Sequence, residues 1–369
     1  MQIGGLGLIT MTLFFVSLFM DFGLGAQMIA GQILELETWK KIKRILVFII
    51  LFTLYSELIG SFLTYTAIRS SLPTRDAWLV ALFHGVASFC NAGFSLITDQ
   101  PEVIGNNRLI LITTSCLMLI GGIGFVTWHE LALYFYSLWY KTRYRLSLHS
   151  KIIIYGSSTA LLSSAIIFWI IERENSLAAL SKTDVIINCL FHAISFKSAG
   201  FTTVDVSTFL MPTLFIIMII SFVGSSPGST GSGVKITTVA IFIATIKAAI
   251  SGRTHIEMKG RTIPLDQVNR SIAIIALSIG WVLLITFCML ITEKNWSFLD
   301  ILFETVTAFT SIGLSTGATN TLTFVGKIFI IISMFIGRIG SFTLVLALRL
   351  NRKKETTEFS YPEERIMLG

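Results

Sequence analysis

The stretch Leu190-Phe191-His192-Ala193-Ile194-Ser195-Phe196-Lys197-Ser198-Ala199-Gly200-Phe201-Thr202 is one of three versions of a single pattern in this chain. Leu82-Phe83-His84 leads after nine further residues to Gly93, and Leu302-Phe303-Glu304 leads by the same spacing to Gly313. Each version is an apolar run shorter than the roughly 20 residues a helix needs to cross a bilayer. Each ends in small and hydroxylated residues around one glycine. That is the layout of a re-entrant hairpin, in which a short helix dips in and an extended strand climbs out. Irregular backbone at membrane depth survives only where protein or a water-filled cavity surrounds it, so repeated hairpins imply a shared pore.

The rest of the chain agrees. Of 369 residues, 53% are hydrophobic and 13% charged, with a mean hydropathy of +0.78, far outside the soluble range. Many apolar segments of helical length, without the short alternation of an outer-membrane barrel, point to an all-α polytopic membrane protein. The first twenty residues are uniformly apolar and lack a basic start and a cleavage site, so a membrane helix is expected there and not a secretory leader. The net charge of +7 would hint at nucleic acid in a soluble protein, but here the basic residues fall in four clusters. These are Lys40 to Arg44, Lys141 to Lys151, Lys247 to Arg270, and Arg349 to Lys354. By the positive-inside rule they face the cytoplasm, and their place between membrane spans speaks against a nucleic-acid partner. Cys90, Cys116, Cys189 and Cys288 are scattered through apolar segments with no CxxC pair, which favours packing over a disulfide or a metal.

Taken in order, the chain repeats the unit span, hairpin, span. Residues 45–150 hold one unit, with an outward span at 45–68, a hairpin at 77–97 and an inward crossing from 108 to about 138. Residues 151–268 hold the next, with span 151–172, hairpin 184–204 and an inward span from about 209 to 249. Residues 269–350 hold the last, with span 269–292, hairpin 297–317 and span 324–350, before a cytoplasmic tail at 351–369. Glycine clusters recur in the closing spans: Ile120-Gly121-Gly122-Ile123-Gly124 and Ile336-Gly337-Arg338-Ile339-Gly340. Hairpin glycine and cluster glycine are separated by 28 residues (93 to 121), then 24 (200 to 224), then 24 (313 to 337). Residues 1–44, opening on Ile3-Gly4-Gly5-Leu6-Gly7, match the closing span of a further unit and its cytoplasmic link. Projecting the spacing back from Gly4 puts that unit's hairpin glycine roughly 20 to 24 residues before Met1. The expectation is a functional protein of four units with pseudo-fourfold symmetry around a central pore.

A dehydrated cation needs close oxygen ligands, and backbone carbonyls supply them when successive peptide planes face one axis. A side chain resists the φ values required, so one glycine per strand is the expected minimum. The candidate filter strands are Asn91-Ala92-Gly93-Phe94, Ser198-Ala199-Gly200-Phe201 and Ser311-Ile312-Gly313-Leu314. The short helices before them would aim their negative C-terminal ends at the ion. Taken singly, each glycine has a plain alternative as a helix-packing residue; three at matching spacing favour the filter. His84 and His192, with Glu304 at the matching place, are expected to anchor the short helices near the outer surface. His129, His149 and His255 lie beside cytoplasmic charges and carry no expected chemistry.

The segment Gly224-Ser225-Ser226-Pro227-Gly228-Ser229-Thr230-Gly231-Ser232-Gly233 interrupts an apolar span with five hydroxylated residues, four glycines and a proline. No helix runs unbroken through that composition, and its freed backbone groups need partners or water, so it is expected to line the cavity below the filter. Arg338 takes the cluster position held by Gly5 and Gly122. A charge at such depth costs at least ~2.5 to 3.5 kcal/mol and marks a functional candidate. Lys235, just past the interrupting segment, is expected to face the cytoplasmic vestibule.

The single-glycine hairpins, the glycine clusters and Ser225-Ser226-Pro227-Gly228-Ser229-Thr230-Gly231-Ser232-Gly233-Val234-Lys235 together resemble the Trk/Ktr/HKT superfamily of potassium transporters, most closely the bacterial Ktr-type B subunits. The ending Tyr361-Pro362-Glu363-Glu364-Arg365-Ile366-Met367-Leu368-Gly369 is similar to the tail of Ktr subunits. The likeness covers the whole chain, short of the family's first span and pore hairpin. It implies K⁺ uptake through a carbonyl filter, with Na⁺ as an alternative cargo and no organic cofactor in this chain. It implies that Gly224–Gly233 is a mobile intramembrane gate, with Lys235 and Arg338 beside it. It also implies a homodimer in membrane lipid, seated on a cytoplasmic ring of RCK-type nucleotide-binding regulatory subunits. No phosphate-cradling loop or hydrolase triad appears in the chain, so an enzyme is not expected. Two other readings stay open: the ion-translocating subunit of a potassium-pumping ATPase complex, and a non-conducting scaffold.

Overall fold

In a computed structural model, residues 1–6, 39–69, 73–96, 107–253 and 255–340 are described. Most of the first apolar stretch, the side chains of the first basic cluster, the end of the first hairpin loop, the closing span past 340 and the C-terminal cluster and tail lie outside them.

Among the described residues, three helices are long and apolar enough to cross a membrane by themselves. They are α2, Trp39–Ile68, whose apolar part is Leu46–Ile68; α6, Leu148–Glu172; and α10, Leu265–Thr292. A short α1, Gln2–Leu6, precedes them. Most of the surface of these helices faces outward, with Leu54, Leu58 and Phe62 on α2 and Leu283, Phe287 and Ile291 on α10 all exposed. Such bands have no place in water, and lipid is the solvent that suits them.

Between the long helices stand three shorter ones: α3, Thr74–Phe89; α7, Lys182–Ser198; and α11, Phe298–Phe309. Their 16, 17 and 12 residues fall short of a span. Ser181 and Ser297 cap α7 and α11 by accepting from the amides of Asp184 and Asp300, each of which also puts a carboxylate in the first turn. These helices form the buried centre. Phe191, Phe196, Phe303 and Phe309 are almost wholly enclosed, and Phe168, His192, Phe196 and Phe209 pack edge on or tilted in one aromatic cluster.

The closing spans carry two departures from a straight crossing. Residues 108 to 138 are two helices, α4, Arg108–Gly122, and α5, Phe125–Trp139, bent by 99° at the break, where the sequence reading expected one inward span. The turn is made at Gly124, whose φ of 95° lies in the left-handed region that a side chain avoids. It is held by Phe125 N donating to Gly228 O at 2.9 Å and by Trp128 Nε1 donating to Ile120 O at 2.8 Å. The second interruption is the expected one. α8, Met211–Phe222, and α9, Ile236–Ile250, are separated by irregular backbone. A short antiparallel pair, β1, Glu257–Met258, and β2, Arg261–Thr262, joins α9 to α10; periodicity did not foretell it. α12, Ala318–Thr321, and α13, Phe324–Ile339, complete the described chain.

The repeat is visible in matching fasteners. Glu172 at the end of α6 accepts from Leu210 N at 3.0 Å and Thr213 Oγ1 at 2.5 Å, at the start of α8. Glu293, just past α10, accepts from Thr323 N at 3.1 Å and from the Thr323 hydroxyl, at the start of α13. In both units a carboxylate ties the first span to the last across the intervening hairpin.

Candidate functional site

The three short helices deliver their chains to one place. Past α3, α7 and α11, Gly93, Gly200 and Gly313 adopt φ of 69°, 75° and 80°, and Asn91 and Ser311, two residues before their glycines, also lie in the left-handed region at 50° and 55°. The turns share one closing bond that reaches back five residues: Ala92 N to Ala87 O at 2.9 Å, Gly200 N to Ser195 O at 3.0 Å and Ile312 N to Thr307 O at 3.0 Å. This is the way a helix ends when it must leave sharply.

The turns also touch in rotation. A Cβ on Gly93 would collide with Ala199 O, and one on Gly200 would collide with Ile312 O. Each glycine therefore abuts the residue just ahead of the next hairpin's glycine. Around Gly313 the corresponding space is open among the described residues. Of the residues after the glycines, Phe201 and Leu314 are buried at 5% and 3% exposure, whereas Phe94 is 61% exposed.

Beneath these turns lies the segment from Gly224 to Gly233. It folds as a hairpin-like loop: Gly224 N donates to Val234 O at 2.9 Å, Val234 N to Phe222 O at 3.2 Å and Ser225 N to Ser232 O at 3.2 Å. Ser225, Ser226, Thr230 and Ser232 are buried, Pro227 and Ser229 partly so, and Gly228 is exposed at the tip. The loop sits on the glycine cluster of α4. Ser226 N and Thr230 N donate to Gly122 O and Gly121 O at 3.3 and 3.1 Å. A Cβ on Gly231 would run into Ser225, and a Cβ on Gly124 would stand 2.7 Å from Pro227 O. Small residues at these points let loop and helix meet backbone to backbone.

Arg338 fastens the loop from the other side. Its Nη1 donates to Thr230 O at 2.6 Å and Ser232 Oγ at 3.0 Å, while Nη2 donates to Gly5 O at 3.0 Å and to Gly4 O. The guanidinium thus spans from the loop to the glycine cluster of α1, using a fork of donors that a lysine lacks. Lys235, expected at a cytoplasmic vestibule, is bonded to the loop itself. Its Nζ donates to Gly231 O at 2.8 Å, so the ammonium is folded back onto the loop.

His84, His192 and Glu304, expected to anchor the short helices, are buried within the protein. His84 Nε2 meets Thr114 Oγ1 at 2.8 Å, and His192 Nε2 meets Thr203 Oγ1 at 2.9 Å. Glu304 accepts from Thr316 N at 3.1 Å, from the hydroxyl of Thr319 at 2.5 Å and from that of Ser315. The last two side chains hold the strand that leaves their own hairpin, whereas His84 holds the neighbouring α4.

Two features were not singled out from sequence. Asn91 Nδ2 donates to Thr230 Oγ1 at 2.7 Å, and Ser198 Oγ donates to Asn91 Oδ1 at 2.8 Å, so two hairpins and the loop share one amide. Glu57, a lone acid inside α2, is buried and bonded by the Gln2 amide, with Cys90 Sγ 3.8 Å away. An ionisable residue within a membrane span was the available signal for Glu57. For Asn91 and Thr230 no local pattern pointed to their contact, because 139 residues separate them.

Comparison with known proteins bears on the family and the fold. The family model described as TrkH, cation transport protein, matches residues 1–357. The Ktr system potassium uptake protein B of Vibrio alginolyticus is 32% identical over 373 residues, covering 100% of this chain and 80% of that protein. The potassium/sodium uptake protein NtpJ of Enterococcus hirae is 30% identical over 374 residues, covering 100% and 81%. Among solved structures, the potassium transporter TrkH from Vibrio parahaemolyticus superposes with a TM-score of 0.65 at 18% identity, over 93% of this chain and 69% of that one, a likeness of fold. These relatives are transporters by name and not enzymes. The chain is a polytopic helical membrane protein and belongs to the TrkH family of cation transport proteins.

Proposed function

We propose that this protein takes up K⁺ across the bacterial cytoplasmic membrane through a filter of backbone carbonyls. The filter strands are Asn91–Phe94, Ser198–Phe201 and Ser311–Leu314, and the loop Gly224–Gly233, with Lys235 and Arg338, is the gate. The observation that carries the reading is that three left-handed glycines follow three short helices, with Gly93 against Ala199 O of the next hairpin and Gly200 against Ile312 O of the one after. Such turns crowd peptide oxygens around one axis, which is what a cation shedding its water needs. The loop supports the gate because it fills the space under the turns and is held by polar contacts, not by an apolar core. Polar contacts of this kind exchange for water at a net cost of about 1 kcal/mol each.

The units 45–150, 151–268 and 269–350 act as repeated sectors of the pore in this reading. Residues 1–44 close a further one and 351–369 form the cytoplasmic tail. The basic loops face the cytoplasm. Relatives named as parts of a Ktr system support a regulatory partner, here an RCK-type nucleotide-binding ring under a homodimer. The name of the NtpJ relative supports Na⁺ as a second cargo.

The test is growth of a bacterium lacking its own potassium-uptake systems on low K⁺, with the gene supplied in its natural context. Restored growth and K⁺ accumulation are expected. Protein present in the membrane without K⁺ accumulation overturns the reading.

A further inference from the structure

Thr230 belongs to the loop by sequence, but its contacts lead elsewhere. Its amide donates to Gly121 O at 3.1 Å and its carbonyl accepts from Arg338 Nη1 at 2.6 Å. Its hydroxyl donates to Phe89 O at 3.1 Å, the last helical carbonyl before the first hairpin turn, and accepts from Asn91 Nδ2 at 2.7 Å. Every polar atom of this residue is therefore engaged, and the residue is 1% exposed.

Asn91 is the unusual member of the first turn. It holds φ of 50° with a side chain in place and is buried, a conformation that asparagine tolerates best when its amide is locally bonded. Both ends of that amide are used. Nδ2 donates to Thr230 Oγ1 and, at 3.3 Å, to Met118 O; Oδ1 accepts from Ser198 Oγ, the first residue of the second hairpin's strand. The chain of bonds runs from the loop through Asn91 to Ser198, two residues before Gly93 and Gly200 alike.

We propose that Thr230 is a positioning residue for ion selection: its hydroxyl buttresses the first and second filter strands through Asn91 and Ser198, so that the loop braces the filter above it as well as gating the path below. The proposal rests on the filter reading given above. Carbonyl spacing discriminates between cations only while the strands keep their shape. A buried amide left short of a partner costs about 1 to 3 kcal/mol and finds another arrangement where it can.

The experiment compares initial rates of K⁺ and Na⁺ uptake into liposomes containing the transporter expressed from its own gene. The variants are Thr230→Val, Thr230→Ser, Ser198→Ala and, as a check on the filter itself, Gly200→Ser. Valine keeps the shape and loses the hydroxyl; serine keeps the hydroxyl and loses a methyl. Thr230→Val and Ser198→Ala are each expected to lower the K⁺ to Na⁺ rate ratio roughly fivefold or more, the scale of one buried hydrogen bond. Thr230→Ser is expected to keep the wild-type ratio. If Gly200→Ser lowers the ratio while Thr230→Val and Ser198→Ala keep it, the buttress is refuted and the filter stands. If Thr230→Ser falls as far as Thr230→Val, bulk and not the hydroxyl is responsible and the proposal fails. If Gly200→Ser leaves the ratio unchanged, the filter reading fails and the buttress with it. Should Thr230→Val not assemble, Thr230→Ala takes its place, by a lowered ratio in favour or an unchanged one against.

Discussion

Gly200 presses its backbone against the carbonyl oxygen of Ile312, so closely that a Cβ at position 200 would overlap it. Gly93 stands in the same relation to Ala199, which makes the contact a property of the repeat and not of one loop. Gly200→Ser adds a side chain where φ is 75°, a conformation costing roughly 1 to 2 kcal/mol outside glycine, and it pushes Ile312 away. The expected result is a transporter that still inserts but whose K⁺ over Na⁺ preference falls about tenfold, since 1.4 kcal/mol is one decade. Paired uptake assays in liposomes check it.

Arg338 holds the loop by bonds to Thr230 and Ser232 and reaches the glycine cluster of α1 with its other nitrogen. Arg338→Ala removes the whole set, and K⁺ flux at normal expression is expected to rise about tenfold or more, one charge-assisted bond being worth roughly 1.5 to 3 kcal/mol. Arg338→Lys should resemble alanine more than wild type, because an ammonium cannot span both sides. Equal or lower flux in the alanine variant would remove the gate assignment.

Gly124 makes the 99° bend and lies under the loop. Gly124→Ala should lower the melting temperature of the solubilised protein by several degrees, from a left-handed residue costing about 1 to 2 kcal/mol and a Cβ only 2.7 Å from Pro227 O. The same substitution at Gly280, which has open space around it among the described residues, is expected to be neutral or slightly stabilising.

Arg108 Nε donates to Asp184 Oδ1 at 2.6 Å, joining α4 of one unit to the hairpin helix of the next. That bond, with a second from Ser181, holds the Asp184 carboxyl well below the usual carboxylate range, at about 2. A depressed value means the link is present at neutral pH and lost only as pH falls through about 2. Wild type and Asp184→Asn should therefore differ by the same small amount in melting temperature at pH 7 and at pH 5. The difference stays small because the pair is exposed and screened.

Much of this was legible in the chain. The three hairpins, their glycines and the interrupted span followed from spacing and composition, because a repeat displays the same backbone demand three times. The bend at Gly124 was not, since Ile123-Gly124 reads as two more apolar residues of a crossing until the loop that grips it is seen. The bond from Lys235 to Gly231 O was not legible either, because no local pattern shows the ammonium folding back onto the loop. The meeting of Thr230 with Asn91 is a tertiary fact between distant residues, invisible to any local pattern.

The most direct measurement is an anomalous diffraction map of the transporter crystallised with Rb⁺ in place of K⁺. A Rb⁺ peak on the axis between Gly93, Gly200 and Gly313, within coordination distance of carbonyl oxygens from all three strands, is the expected result. A peak bound elsewhere, with these glycines apart or turned toward lipid, would contradict it.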